Sequence, residues 1–473
     1  MAAVTKSKVI GYLPQDTPPV GKMLLLGFQH VITMFPATVL CALLMHFNVS
    51  TVLTITGLGT IIALIGSKLS MGNYIPLYYG SSFSYIAAVL TAEAAIMGGN
   101  MPGFGVELPP EVISVIQAGF VCTGLLNIIV GLIIRVAGGK QAVDKILPPI
   151  VTGSVACVIG IALGKAALDM ASGVAGGVAT GDLTWWAVSM ITMLSAIFFS
   201  VYLQGKGFIG LLPILLGAVV GYLVAIPFGL LSLGGMIKSN LFIVPVITFP
   251  TFASPFTVSV LVSVGVMCLA TIPESTAHLY QISLYVDHLA TLQGREKIGL
   301  SKFIGLNLML DGLDDLINGL FGSTAGTNYG ENNSLMVITR NYSGPVLITA
   351  GAIAVLLGFI GPLKDIVNSI PTAVSGGLSI YLFGVIGMQG IALMMSEKVN
   401  LYDPRQLAIG AVILIVGIGG AIGYPALPIP LLQGIFPGGW PPIATAAVLG
   451  ILINLVFVIF KGPEVRAAVE KQD

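Results

Sequence analysis

The chain has 473 residues, of which 56% are hydrophobic and only 8% charged, and its mean hydropathy is +0.98. That is more apolar surface than a water-soluble core can hide, so the composition describes an integral membrane protein and excludes a single-helix anchor. Net charge is zero and there is no basic run, so no nucleic-acid partner is expected.

The amino terminus, "MAAVTKSKVIGYLPQDTPPVGK", is polar and lacks the apolar core and small-residue cleavage site of a signal peptide, so residues 1–22 are expected to remain as a cytoplasmic segment. At roughly 20 apolar residues per helical crossing, spans fall near 23–45, 50–68, 75–93, 112–135, 143–164, 184–203 and 207–229. A second set follows near 257–281, 300–321, 323–340, 344–361, 366–394, 406–424 and 441–460, with a tail at 462–473. The fold class predicted is an all-α polytopic membrane protein of about 14 transmembrane segments. The third and tenth, "IPLYYGSSFSYIAAV" and "GSTAGTNYGENNSLMVITR", are too rich in Gly, Ser, Thr and Tyr for lipid-facing helices. Each is expected to begin extended and continue as a half-helix. The cysteines, Cys41, Cys122, Cys157 and Cys268, sit in apolar stretches without metal-type spacing and are expected to be small buried residues. No metal site and no cofactor is expected.

Positive residues concentrate in cytoplasmic loops. With both termini inside, only Lys165, Lys238 and Lys364 of the 20 Lys and Arg fall on the outer side. Seven spans per half is odd, so the second half enters the membrane from the opposite face, and the halves are candidates for a 7+7 inverted repeat. In that register the third and tenth spans correspond, "GSSF" at 80–83 against "GSTA" at 322–325. Paired broken segments at equivalent positions point to a substrate site near the bilayer midplane.

Carboxylates inside spans are costly and therefore informative. "CLATIPESTAHLYQI" places Glu274 four residues before His278, on one helical face, with Pro273 able to free a carbonyl beside the carboxylate. The spacing does not fit a zinc protease, which needs two histidines four apart. Glu331 follows Tyr329 and Gly330 where extended chain turns helical, so the positive end of a half-helix would face the site. Against these stand plain structural readings: a Glu/His pair joining helices, and a carboxylate capping its own helix. Of Asp311, Asp314 and Asp315, Asp311 is read as support for the tenth span, with at least one of the others meeting only water. Gln29 and His30 are placed to hydrogen-bond the broken segments or to join helices. Phe83 and Tyr85 offer rings to a flat ligand, or pack. His46 and His288 fall near span ends and look interfacial.

At these residues the chain resembles the nucleobase-ascorbate transporter (nucleobase-cation symporter-2) family, and most closely its bacterial uracil permeases. The resemblance runs over nearly the whole chain and rests on "LGFQHVITMFPATVL", "GSSFSYI", "PESTAH" and "GSTAGTNYGENNSLMVITR". The family motif in the tenth span is Gln, Glu or Pro, then Asn, any residue, Gly, four residues, Thr and usually Arg. Glu331, Asn332, Thr339 and Arg340 match it, while Ser334 stands where the family has Gly.

The resemblance implies short antiparallel strands in the third and tenth spans. It also implies a core domain (23–137 and 257–362) moving against a gate domain (138–256 and 363–461), in a homodimer of the plasma (inner) membrane. It implies substrate contacts at Glu274, Glu331, Phe83, Gly330, Tyr329 and Ala37, and proton coupling at His278 and Glu274. Support would come from Gln29, His30, Ser82, Asn332, Asp311, Thr339 and Arg340. The function so implied is proton-coupled symport of uracil by alternating access. A xanthine or uric acid symporter of the same family is the alternative, and an anion exchanger or channel of the same fold stands further off. A membrane enzyme would need a nucleophile and base at usable spacing, which the sequence lacks.

Overall fold

The protein is described from a computed structural model covering residues 11–137, 147–178, 181–204, 206, 209–210, 212–231, 237–424, 427, 429, 440 and 442–460. Lys6, Lys8, Lys140, Lys145, Lys461, Arg466 and Lys471, the first residues of the expected fifth span and the expected carboxyl-terminal tail lie outside the described residues.

The first half comprises α1 (Val20–Leu44), α2 (Val49–Met71), β1 (Tyr79–Ser81), a 3₁₀ turn (Phe83–Tyr85), α3 (Ile86–Ile96), α4 (Pro110–Ala137), α5 (Pro149–Ala162), α6 (Gly164–Ser172), α7 (Leu183–Tyr202) and α8 (Pro213–Ala225). The second half comprises α9 (Thr257–Ser263), α10 (Cys268–Leu292), α11 (Ile304–Phe321), β2 (Gly326–Asn328), α12 (Gly330–Thr339), α13 (Gly344–Leu357), α14 (Gly361–Asn368), α15 (Thr372–Ser396), α16 (Pro404–Leu414), α17 (Gly420–Gly423) and α18 (Pro442–Ile459). Local signals set many ends. Asn48 caps α2 by accepting from Thr51 N at 3.0 Å, and Gly72, at φ 72°, closes it. Ser343 caps α13 in the same way.

Among the described residues, nine helical segments are long and apolar enough to cross a membrane, and Phe83–Ile96, Pro213–Ala225 and Gly344–Leu357 are shorter apolar helices. The protein is a multi-pass, mostly helical membrane protein. The helix expected to end at 281 runs on to Leu292, because Ile282, Val286, Leu289 and Ala290 keep one face buried while Leu284, Tyr285 and His288 face outward. The span expected over 366–394 is two helices, α14 and α15, parted at Pro371, whose ring disfavours helix in the residue before it.

The helices gather in two bundles, each built from both halves of the chain. In one, α4 packs along α11, and α1 and α2 pack on α13; in the other, α5, α6 and α7 pack on α15, and α16 on α18. At the α4–α11 crossing a Cβ on Gly131 would stand 2.7 Å from Gly305 O, and one on Gly305 2.6 Å from Gly131 O. Only glycine allows that approach, a close packing typical of membrane helices.

β1 and β2 form an antiparallel pair with Tyr79 opposite Asn328, Gly80 opposite Thr327 and Ser81 opposite Gly326. Tyr329 N to Tyr78 O (2.8 Å) and Ser82 N to Ala325 O (3.2 Å) extend it. Unpaired strand edges are not tolerated in an apolar layer. Here Thr60 of α2 serves the outer edge of β1, its Oγ1 donating to Tyr79 O at 3.0 Å and accepting from Tyr79 N at 3.1 Å. Asp315 of α11 serves the outer edge of β2 by accepting from Gly326 N at 2.7 Å.

That last contact corrects an expectation. Asp315, not Asp311, holds the tenth segment, and its other oxygen takes Asn127 Nδ2 at 3.0 Å. No member of the acidic trio is exposed to solvent: all three are buried, with Asp314 accepting from Asn318 and Asp311 accepting no hydrogen bond from the described residues. The residue facing the strand was set by how α11 is rotated against it, which spacing along one helix does not reveal. His46 is corrected as well. It is buried, and its Nδ1 lies 2.9 Å from Oε2 of the fully buried Glu93. His288 is exposed as expected. The cysteines are free.

Candidate functional site

A cavity of about 270 Å³ lies between the two bundles. One wall is formed by the ends of the strands and the chain that follows them, Ser81–Ser84 and Thr327–Glu331, together with residues of α10 between Ala270 and His278. The other comes from α5 and α15. Two half-helices therefore begin at the cavity, the 3₁₀ turn leading into α3 and the ten-residue α12. Their positive ends favour carbonyl or anionic oxygen there.

Glu274, His278, Glu331, Gly330, Tyr329, Phe83 and Ser82 all line this space. Both carboxylates open onto it, and among the described residues no protein group donates a hydrogen bond to either. Tyr329 stands at the N-cap of α12 without a capping side chain, so Glu331, in the first turn, is not occupied as its own helix cap. Two acceptor groups thus stand free and exposed in the cavity, which suits a ligand bearing N–H donors.

His278 is oriented by the strand. Its Nδ1 donates to Asn328 O (2.9 Å) and Oδ1 (2.8 Å), while Asn328 Nδ2 donates to Ser275 Oγ at 2.6 Å. This fixes the amide orientation and leaves Nε2 as the nitrogen that can gain or lose a proton. A Cβ on Gly330 would come within 2.9 Å of that Nε2, so glycine lets the backbone approach the ring.

Tyr329 reaches the cavity mainly through its position in the chain. Its hydroxyl donates to Ser81 O at 3.0 Å and pairs with Thr38 Oγ1 at 2.8 Å, and its ring stacks on Tyr78 with centroids 6.4 Å apart. Phe83 meets Phe383 of α15 edge-on, centroids 6.2 Å apart, across the seam between the bundles. Ser82 accepts from Ser84 N at 3.3 Å and so starts the 3₁₀ turn.

Other expected site residues stand elsewhere. Ala37 of α1 does not line the cavity; its neighbour Thr38 meets Tyr329 from that helix. His30 is buried and pairs with Asn332, whose Nδ2 lies 3.1 Å from both His30 Nδ1 and His30 O, so this pair joins α1 to α12. Gln29 lies outside the lining, and its backbone oxygen accepts from Thr33. Thr339 bonds back to Leu335 O, and Arg340, at φ 50°, ends α12. Ser334, where the family has Gly, likewise bonds back to Gly330 O at 3.0 Å. Tyr85 is fully buried with its ring edge-on to Phe120, and does not face a ligand.

The wall from α5 and α15 was not foreseen. It carries Thr152, Ala156 and Ile159 opposite Leu382, Val385, Ile386, Gln389 and Leu393. Gln389 is open to the cavity. Its only trace in the sequence is one amide inside the apolar run "IGMQGIALMM".

The Permease family model matches residues 21–425. Proteins named uracil permease are similar along their length: that of Bacillus caldolyticus is 34% identical over 93% of both chains. That of Escherichia coli (strain K12) is 32% identical over 93% of this chain and 92% of its own. Among solved structures, the transmembrane domain of the cyanobacterial bicarbonate transporter BicA aligns over 95% of this chain and 100% of its own, with TM-score 0.57 and 13% identity. Murine Solute Carrier 26 family member A9 aligns over 97% of this chain and 70% of its own, with TM-score 0.64 and 10% identity. Those two likenesses establish a shared fold. By sequence, this chain belongs to the nucleobase-ascorbate transporter family, a family of permeases and not of enzymes.

Proposed function

We infer that the protein is a secondary active transporter that carries uracil into the cell by symport with protons. The observation that carries this reading is the meeting of Glu274, Glu331 and His278 on one cavity between two bundles, in a chain similar to proteins named uracil permease. Uracil presents two N–H donors and two carbonyls on a flat ring. Glu274 and Glu331 accept from the N–H groups, backbone at Phe83 and Gly330 serves the carbonyls, and the Phe83 ring covers an edge of the base.

In this mechanism the bundle carrying the strands is the core and the bundle of α5–α8 and α15–α18 is the gate. The site is exposed to one side and then the other as they move against each other, within fourteen crossings arranged as an inverted repeat. A proton taken up from outside at His278 Nε2 or Glu274 and released inside couples uptake to the proton gradient. The protein works as a homodimer in the plasma membrane with both termini in the cytoplasm, the orientation that puts most Lys and Arg inside.

The test is uptake of radiolabelled uracil into proteoliposomes under an imposed pH gradient, inside alkaline, competed by xanthine, uric acid and thymine. Uracil accumulation that collapses with the gradient is expected, and Glu274→Gln should abolish it. Competition by xanthine with no uracil uptake would replace this reading with a purine carrier. Proton-driven uptake at the wild-type rate in Glu274→Gln would reject the role given to that carboxylate.

A further inference from the structure

A second cavity, of about 520 Å³, lies away from the first, where α2 and α4 end and α11 begins. Arg135 from the last turn of α4 and Lys302 from the 3₁₀ turn before α11 line it, with the hydroxyl-bearing Ser70 and Ser301. The lining includes no Asp or Glu, and among the described residues neither cation has an acidic partner within ion-pair distance. Two uncompensated positive charges beside hydroxyl donors form a recess for a phosphate-like anion, and the guanidinium is suited to bind two of its oxygens at once.

The surroundings of the recess choose among anions. Leu69, next to Ser70, is 82% exposed, and Val136, next to Arg135, is 89% exposed. Leu125, Ile129, Leu132, Ile133 and Val136 are all exposed at helical spacing along α4, a stripe of hydrocarbon that ends at the recess. A free inorganic anion gains nothing from such a stripe, whereas a phospholipid can lay its chains along it and set its phosphate between the two cations. In the orientation that places most Lys and Arg inside, the recess lies at the cytoplasmic leaflet, where basic pockets between helices take anionic headgroups.

We propose that the recess formed by Arg135, Lys302, Ser70 and Ser301 is a binding site for the phosphate of an anionic phospholipid whose acyl chains run along the exposed face of α4. Occupancy joins the ends of α2, α4 and α11 through one shared anion. It stabilises the bundle that carries the strands without touching the cavity of Glu274 and Glu331.

The full-length protein is reconstituted in nanodiscs of phosphatidylcholine with or without phosphatidylglycerol, and lipid retained on the protein is measured by native mass spectrometry alongside the thermal unfolding midpoint. Wild type is expected to retain phosphatidylglycerol at least tenfold over phosphatidylcholine and to unfold at a higher temperature with it. Arg135→Gln with Lys302→Gln should lose that preference tenfold or more, and Arg135→Lys should keep most of it. Ser70→Asp, which adds a negative charge with both cations retained, should also abolish it. Equal retention by wild type and both charge variants would overturn the proposal. So would stabilisation of detergent-solubilised wild type by inorganic phosphate that phosphatidylglycerol does not exceed, since that marks a free-anion site. An absence of phosphatidylglycerol preference in wild type overturns it without recourse to any variant.

Discussion

His278 Nδ1 stands 2.9 Å from the backbone oxygen of Asn328 and 2.8 Å from its side-chain oxygen, so the cavity histidine on α10 is held by the last residue of β2. The strand pair thereby sets the one ring nitrogen left for proton exchange. Asn328→Ala removes the side-chain acceptor and one of the two amides donating to Ser275 Oγ, the other being that of Asn307. A lost hydrogen bond of roughly 1.4 kcal/mol corresponds to about a tenfold change. Uracil uptake by Asn328→Ala is expected to fall about that much at unchanged expression, with a displaced pH profile. An unaltered pH profile would show that Asn328 does not orient the histidine.

Gln389 lines the cavity on the wall opposite Glu274 and Glu331. Gln389→Ala is expected to raise the KM for uracil about fivefold, the effect of losing one neutral hydrogen bond of about 1 kcal/mol. The thermal midpoint should hardly move, because the amide is open to the cavity. Gln389→Glu adds a third carboxylate to the cavity and should be worse than alanine. Steady-state uptake kinetics separate these outcomes from a loss of folded protein.

Gly80 in β1 lies against the ring of Tyr329, and a Cβ added there would stand 2.6 Å from the Tyr329 hydroxyl oxygen. That hydroxyl is already held by Thr38 and Ser81, so the ring has nowhere to retreat. Gly80→Ala is expected to destabilise the protein by about 1–3 kcal/mol, the usual cost of overpacking a filled core. A midpoint equal to wild type in detergent would show that the strand pair can shift.

Glu93 and His46 form a buried pair between α3 and the turn after α1. Glu93→Ala leaves the imidazole without its partner and is expected to cost about 3 kcal/mol. Adding His46→Ala should cost little more, because both changes remove one interaction. Additive losses in the double variant would show that the two residues act independently.

Asp365 joins the chain segment before α9 to α14. It accepts from Lys238 N (2.7 Å), Ser239 N (2.6 Å) and Ser239 Oγ (2.9 Å). Partial burial works to raise its pKa, and these donors overcome it, so the carboxyl titrates below its ordinary value of 3.8. Stability from this group is full above that value and is lost as pH falls through the lowered pKa. Asp365→Asn is therefore expected to unfold at a lower temperature than wild type at pH 7, with the difference shrinking in strong acid. Proteolysis near Lys238 at pH 7 should increase in the variant, and an unchanged cleavage rate would show that the contact does not hold this segment.

The amino-acid sequence by itself determined the membrane class, the broken third and tenth segments, and the intramembrane carboxylates. Each of these is a local property. A run of apolar residues must leave water, and "GSSF" and "GSTA" cannot face lipid as ordinary helices. Spacing four apart also places Glu274 and His278 on one face wherever the helix lies.

Tertiary structure decided which faces meet. That Asp315 and not Asp311 supports β2, that Glu93 is paired with His46, that Tyr329 is committed to Thr38, and that Gln389 lines the wall opposite the carboxylates all depend on helix rotation and on partners far away in the chain. Local periodicity states only that a helix has a buried side. In a protein whose lipid-facing and protein-facing surfaces are both apolar, close packing at residues such as Gly131 and Gly305 selects the neighbour, and that choice exists only in the folded chain.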